Sequence, residues 1–541
     1  MQRGREAAGR PSRRRIALDA VFAVNSTTFF FRIQSFCQRQ LVSLSLNRVC
    51  CQCRCEQHWL SCCSVNAQRP LTNPPHITCF GVTGMVSSRR QFLKISAGLA
   101  TAGMLTGFSR RALMAAGAVV SEKHFEITEI RRTAVQLEFR PTPRRNMDRE
   151  IPHWRYSELC DVTLKCGVTG TGETLMFYTW GATSDEAVNR AKGRSALELL
   201  WDDSLGAGLQ MALFDAVGRA ADLPVHALLG PKVHATTPLS WWNIDTSAAD
   251  MAEECLEAYR LGYMSYKTKG RPWFDVFRQV EESAKVVPAD FRIDMDFNDT
   301  LRDADRALPI LKKLERYPQV DIYESPIPQE DVEGNRRIAE ATRVKVAMHY
   351  GTPSPSTVVK TGCCDGFVAG GGATKLMSTG RFCSETSLPL WLQLVGSGLT
   401  AAHSLHFGGV LEQAVWPAVN CHQLYENNLL TEPILLKNGA ATVPDRPGLG
   451  YEINRDLVNK LMIPKPLERP EPKRLIETVW SSGKRMYTAN TGKVNFMLTA
   501  ANEGRYPYYE AGADTRLVPD DGSARWQQLY EKARTGGPFE A

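Results

Sequence analysis

One pattern repeats through the middle of the chain: a short apolar run that ends in charged residues, followed by a stretch with helical spacing. Tyr266-Lys267-Thr268-Lys269 is the first clear case, Asp294-Met295-Asp296-Phe297-Asn298 the second and Tyr323-Glu324-Ser325-Pro326 the third. They follow one another at about 25 to 30 residues, the length of one βα unit of a (β/α)8 barrel, and such barrels carry their chemistry at the C-terminal strand ends. Two ammonium groups and two carboxylates at successive strand ends read as an active site. Upstream, residues 125–178 alternate as strands do, in Ile127-Thr-Glu-Ile130 and Leu159-Cys-Asp-Val-Thr-Leu164, with a glycine-rich turn expected at Gly167-Val-Thr-Gly170-Thr-Gly172. Helical spacing then runs through Leu229.

Composition agrees with a soluble globular protein: 541 residues, 43% hydrophobic and 23% charged. The net charge of +7 would suggest an acidic partner, but residues 1–84 contribute +8 and the remainder −1. Nucleic-acid binding by the main body is therefore not expected. Residues 1–84 also hold eight of the fifteen cysteines. Cys51-Gln-Cys53-Arg-Cys55 supplies thiolates, yet the spacing from Cys50 to Cys63 matches no common zinc module. The expectation for 1–84 is a disordered or never-translated extension, with Met85 as the true start.

From Met85 the chain reads Val-Ser-Ser-Arg89-Arg90-Gln-Phe92-Leu93-Lys94 and then an uncharged stretch from Ile95 to Phe108. Residues 85–118 resemble a twin-arginine export signal, too short and glycine-rich for a stable membrane span. A periplasmic or otherwise extracytoplasmic location is expected. The seven later cysteines are scattered without motif spacing, as small buried residues would be and a disulfide framework would not.

The segment Leu209 to Gly230, with Ala212-Leu213-Phe214-Asp215-Ala216-Val217-Gly218, resembles the end of the capping domain in the mandelate racemase and muconate-lactonizing branch of the enolase superfamily. Alternating strand and helix signals continue from Leu239-Ser-Trp-Trp242 through Lys267, Asp296, Glu324, Val346-Ala-Met-His349, Gly366-Phe-Val-Ala369 and Leu390-Trp-Leu-Gln393 to Trp416-Pro-Ala-Val419. That gives about eight βα units, the number a closed parallel barrel needs. Val443-Pro-Asp-Arg446-Pro-Gly448-Leu-Gly450 is similar to the family's closing segment. The expected fold is α/β, a (β/α)8-type TIM barrel with an α+β capping domain built from N-terminal and C-terminal segments. Its expected divisions are capping domain at 122–235, barrel at 236–428, return to the capping domain at 429–480 and a C-terminal extension at 481–541. The resemblance also implies a homo-oligomer acting on a small-molecule carboxylate.

Lys267 and Lys269 are two apart, so on a strand they share one face. An interior lysine near a second cation and partly desolvated has a lowered pKa, so at neutral pH more of it is the free amine that can abstract a proton. The resemblance implies Lys269 as catalytic base, Lys267 as its partner, and Asp296 and Glu324 as ligands of Mg2+, with Mn2+ or another divalent metal as alternatives. Asp294 shares the face of Asp296 but lies deeper; the match of Asp296-Phe-Asn298 to the family's Asp-x-Asn selects Asp296. Where the family supplies a third acidic or amide ligand, this chain has His349, a softer donor that favours Mn2+, Fe2+ or Zn2+.

The opposite wall departs from the better-known relatives. Gln393 stands at the expected position of a second base, His403 falls in the next helix, and Asp365 precedes the Gly370-Gly371-Gly372 run. Lys375 is expected on the helix after those glycines, which lack the lysine of a phosphate loop. Glu426 is a candidate hydrogen-bonding residue near the eighth strand end. His153, Trp154 and Arg155 are expected in a polar loop of the cap that closes over the mouth. With bases on one face only, racemization is disfavoured. Dehydration of a sugar acid is the leading expectation, a muconate-type cycloisomerase the second, and a catalytically inactive carboxylate-binding or sensing protein the third.

Overall fold

A computed structural model describes residues 122–178 and 181–541; the extension expected at 1–84 and the export signal expected at 85–118 lie outside the described residues. First comes a three-stranded antiparallel sheet of β1 (Ile127–Gln136), β2 (Tyr156–Leu164) and β3 (Thr169–Leu175), in that order. It packs on helix Ala207–Ala220, which is buried from Gly208 to Gly218. Their approach is set by glycine: a Cβ on Gly172 would lie 2.1 Å from the Gly208 carbonyl oxygen, and one on Gly170 2.1 Å from the Ala216 nitrogen. Both glycines expected in a turn are thus inside β3, and the turn itself falls at Gly167, whose φ is +87°.

A helix at Pro141–Glu150 interrupts the region expected to be strand-like throughout. It opens with Pro141 in the first turn, where a missing N–H costs no helical hydrogen bond. Its buried residues include Asn146, Arg149 and Glu150, so burial here leaves no apolar period in the sequence.

The barrel follows as β4 (Thr236–Trp242), β5 (Ser265–Lys269), β6 (Arg292–Asp296), β7 (Val320–Glu324), β8 (Lys345–His349), β9 (Gly366–Ala369), β10 (Leu390–Leu392) and β11 (Ala418–Val419). β4 to β10 pair in sequence order, β11 lies parallel to β4, and a parallel bridge between Gln393 and Val419 joins the two ends. Eight parallel strands therefore form a closed ring, with helices between successive strands. Ile293, Met295, Ile322, Tyr323, Val346, Met348, Phe367, Leu390 and Trp391 are all buried, as expected for strands covered on both faces.

A hairpin of β12 (Leu436–Lys437) and β13 (Ala440–Thr442) pairs antiparallel with β4. The chain then returns to the cap: the Leu449 N–H donates to Asp215 Oδ1 at 2.8 Å and the Val225 N–H to the Gly448 carbonyl at 2.9 Å. Arg455 donates to both carboxylate oxygens of Asp161 on β2.

A four-stranded antiparallel sheet closes the sequence, with β14 (Leu475–Val479), β15 (Arg485–Ala489), β16 (Asp514–Val518) and β17 (Phe539–Glu540) ordered β16-β14-β15-β17. It begins at Leu475, inside the segment expected to belong to the cap. Helices Phe496–Asn502 and Ala524–Gly536 accompany it. Trp273 and Phe274, from the loop after β5, share an apolar cluster with Ile476, Trp480, Phe496 and Met497. The same loop is bonded through Tyr509 Oη to the Gly270 carbonyl at 2.9 Å and through Thr515 Oγ1 to the Trp273 carbonyl at 2.6 Å. This sheet therefore braces the loop that leaves Lys269.

The seven cysteines from Cys160 to Cys421 are unpaired, six of them buried. No helix among the described residues is long and apolar enough to cross a membrane.

Buried histidines give the fold a sensitivity to acid. His406 accepts the His226 N–H through Nδ1 at 3.1 Å and its Nε2 meets the Leu449 carbonyl at 3.2 Å, so the neutral tautomer satisfies both nitrogens. Burial pushes its pKa from 6.5 down to about 3. The unfolded chain thus takes up a proton that the native state refuses between pH 6.5 and about 3, and the stability present above pH 6.5 is lost as pH falls through that window. The unfolding free energy of the parent, from urea titration, should fall more steeply below pH 6.5 than that of His406→Gln, by up to about 1.4 kcal/mol per pH unit. Equal slopes would refute this assignment.

Candidate active site

Strand register explains why the charged residues converge. Lys269 on β5 pairs with Asp296 on β6, and Asp296 with Glu324 on β7, so the three occupy one layer at the C-terminal rim. Lys267 and Asp294 pair one layer deeper. On β8 the residue level with Glu324 is Ala347, and His349 lies two residues farther out on the same face.

The Lys267 ammonium forms an ion pair with Glu324, lies 3.8 Å from Asp296 and donates to Gln393 Oε1 at 3.0 Å. Lys269 pairs with Asp296 and donates to Asn298 Oδ1 at 3.0 Å. His349 Nε2 reaches back to Glu324 Oε1 at 3.1 Å. Lys267, Asp296 and Glu324 are at most 1% exposed in their side chains, and Lys269 is 15% exposed, so Lys269 is the ammonium that meets the open mouth. All five residues singled out by the sequence are brought together.

The two lysines are driven in opposite directions. Burial disfavours the charge on Lys267, but Glu324 and Asp296 outweigh it and its pKa is raised. Burial dominates for Lys269; Lys267 and Arg271 add to it, Asp296 only partly opposes it, and the pKa is lowered. Burial also works against ionised Glu324, yet Lys267 and His349 hold its carboxyl well below the usual range.

Asn298 explains the Asp-x-Asn spacing. Its N–H donates to Asp296 Oδ1 at 2.9 Å while its amide oxygen accepts Lys269 and, at 2.6 Å, Arg271. Arg271 continues the two-residue alternation of Lys267 and Lys269, a signal the sequence carried and the motif alone missed.

Metal fit rests on the donors themselves. Both oxygens of Glu324 are buried, and their contacts are with Lys267 and His349. With Asp296 and His349 this gives two carboxylates and one imidazole, a donor set that suits a divalent cation. No group of three such side chains is already gathered around one point among the described residues.

Two cavities open at this rim. One of about 240 Å3 is lined by Lys267, Lys269, Arg271, Asp296 and Asn298, by His153 and Trp154 of the cap, and by Val494 and Asn495 of the C-terminal extension. The other, of about 540 Å3, lies between the cap and the ends of β9 and β10, with Gln210, Lys375, Thr400 and His403 in its wall. Tyr178, His349, Gln393 and Val395 line both.

Several expected residues fall elsewhere. His153, Trp154 and Arg155 form a 3-10 turn, not a polar loop; His153 and Trp154 are buried at the mouth while Arg155 turns away to Asp148. Glu426 is 48% exposed, lines neither cavity and lies 3.7 Å from Arg144. Asp365 precedes β9 at the far end of the barrel and accepts the Val346 N–H at 2.7 Å. His403 is helical and buried, with Nδ1 unpartnered and its pKa pushed down to about 3 by burial. Val494 and Asn495 gave no sequence signal, because only the packing of the C-terminal sheet carries them to the barrel mouth.

A family model described as enolase C-terminal domain-like matches residues 250–457, ending before the C-terminal sheet begins. An N-succinyl-L-Arg/Lys racemase of Bacillus cereus is 23% identical over 48% of this chain and 71% of its own length. An arabinonate dehydratase of Saccharolobus solfataricus is 26% identical over 46% of this chain and 69% of its own. The crystal structure of 2-chloromuconate cycloisomerase from Rhodococcus opacus shares the fold at 20% identity, with a TM-score of 0.51 over 62% of this chain and 99% of that one.

Proposed function

We propose, starting from the membership of this chain in the mandelate racemase and muconate-lactonizing family of the enolase superfamily, whose relatives are lyases and isomerases, that it abstracts the proton alpha to a carboxylate and dehydrates a hydroxy acid of the sugar-acid type. The observation that carries this reading is the single layer of Lys269, Asp296 and Glu324 at the strand ends, with Lys267 beneath it. Lys269, at the open side of that layer, is the group placed to accept the alpha proton. Lys267, cationic between two carboxylates and fixed by Gln393, holds positive charge where the substrate carboxylate gains electron density.

Members of the superfamily typically use a divalent metal; here Asp296, Glu324 and His349 would hold Mg2+ or Mn2+, and it would supply Lewis-acid stabilisation of the enolate. When the enolate collapses, the carbon–oxygen bond at the beta carbon breaks, and the departing hydroxyl takes the proton from Lys269 and leaves as water. Gln393 offers no proton-accepting group on the opposite face, which supports elimination over racemization. The apolar part of the larger cavity's wall, formed by Leu175, Met211, Val368, Leu394 and Val395, favours one second reading, a cycloisomerase acting on an unsaturated acid.

The test is a panel of acid sugars and unsaturated diacids with Mg2+ or Mn2+ in deuterated water. Deuterium should enter the alpha position, with loss of water from the acid sugars. Binding without exchange would assign the chain to a carboxylate-binding protein instead.

A further inference from the structure

The smaller cavity contains a wall that the barrel and cap do not supply. Between β15 and helix Phe496–Asn502, residues 490–495 bring Val494 and Asn495 into the lining beside Lys269, Arg271 and Asn298. Both ends of this loop are fixed. Asn490 donates to Glu471 Oε1 at 2.7 Å and to the Pro472 carbonyl at 3.0 Å, and accepts the Arg474 N–H at 2.8 Å. Phe496 is buried against the cluster that includes Trp273 and Phe274. Arg469 holds the Gly492 carbonyl between these anchors.

On this loop, anchored at both ends, Val494 is 43% exposed and lines a cavity that also has Ile151, Trp154, Trp242 and Ile244 in its wall. Asn495 adopts a left-handed backbone, φ +56°, and among the described residues its bonding is through the backbone carbonyl, to the Thr499 N–H and hydroxyl. Asn495 is itself part of the cavity lining, and its side chain makes no capping hydrogen bond to the helix that follows. A hydrophobic contact and an adjacent amide beside a carboxylate-binding rim fit a chain bearing both C–H surface and hydroxyl groups.

We infer that Val494 and Asn495 are specificity-determining residues: Val494 limits the length of a hydroxycarboxylate chain and the Asn495 amide hydrogen-bonds one of its hydroxyls. This rests on the proton-abstraction reading above and names the part of the substrate that the C-terminal extension reads. One methylene of pocket space changes preference by roughly 10-fold or more, and a hydroxyl-binding group discriminates strongly against the analogue lacking that hydroxyl.

Four-, five- and six-carbon aldonates and their 4-deoxy analogues, with Mg2+, serve as probes for alpha-proton exchange and for calorimetric binding to the full chain. Val494→Ala should shift kcat/KM toward the longer acids by roughly 10-fold and Val494→Phe toward the shorter ones. Asn495→Gly, which keeps the left-handed backbone, should raise KM for the hydroxylated acid with little change in kcat and erase the preference over the deoxy analogue. Lys493→Ala, on the same exposed loop but outside the cavity lining, is the control. If the parent exchanges the proton in a Lys269-dependent manner and the Val494 and Asn495 variants behave as the control does, this inference is overturned and the reaction stands. Binding that still depends on residues 494 and 495 without any exchange overturns the reaction and keeps the inference. Absence of binding overturns both.

Discussion

Lys269→Ala is expected to lower alpha-proton exchange by roughly 100- to 10,000-fold, the usual worth of a positioned base, without loss of the fold. The fold should persist because Asp296 keeps the Asn298 N–H at 2.9 Å and Lys267 at 3.8 Å. Lys269→Arg separates two roles. A guanidinium supplies the positive charge and the donors to Asp296 and Asn298, but it does not deprotonate in a protein. Recovery of exchange in Lys269→Arg would mean that Lys269 acts by charge alone; continued loss alongside unchanged carboxylate binding identifies the base. Exchange measured by proton NMR reads both outcomes directly.

The charged rim was legible in the sequence because strand geometry writes itself there in a period of two. Lys267 and Lys269, and Asp294 and Asp296, differ by one strand repeat, and parallel pairing without crossing places successive strand ends side by side. Residues off that layer were harder to place. Ala347 takes the position level with Glu324, so His349 belongs to the next layer out and reaches back to Glu324, a geometry that register alone fixes.

Helix Pro141–Glu150 escaped detection for a different reason. Its buried positions are largely polar: the Arg149 side chain meets Asp245 and the neighbouring Glu150, and Arg474 donates to the backbone carbonyls of both residues. Hydrophobic spacing cannot reveal an element whose burial is compensated by ion pairs. Val494 lies beyond the reach of local pattern altogether, since its place in the cavity depends on Trp273 and Phe274 packing into the C-terminal sheet. The opposite wall was legible only as a substitution, with Gln393 standing where a base was expected and proving to hold Lys267.

Lys267→Met should have the largest effect on stability and the most informative response to metal. The parent side chain is 1% exposed and answers the charge of Glu324, which is 0% exposed, and of Asp296. Methionine fills similar space but leaves buried Glu324 with His349, and buried Asp296 with Lys269, as the remaining ion-pair partners, at a cost of about 3–5 kcal/mol. A divalent cation held by Asp296, Glu324 and His349 would restore the missing charge, so the variant should gain more thermal stability from Mn2+ than the parent does. A ligand bound only by the native state adds about 2.7 kcal/mol at 100 times its Kd, which a melting curve resolves. If imidazole is part of the site, adding His349→Ala should reduce the response to Mn2+ more than the response to Mg2+. An equal metal response in the parent, Lys267→Met and the double variant would instead mean that the two carboxylates serve Lys267 and Lys269 alone.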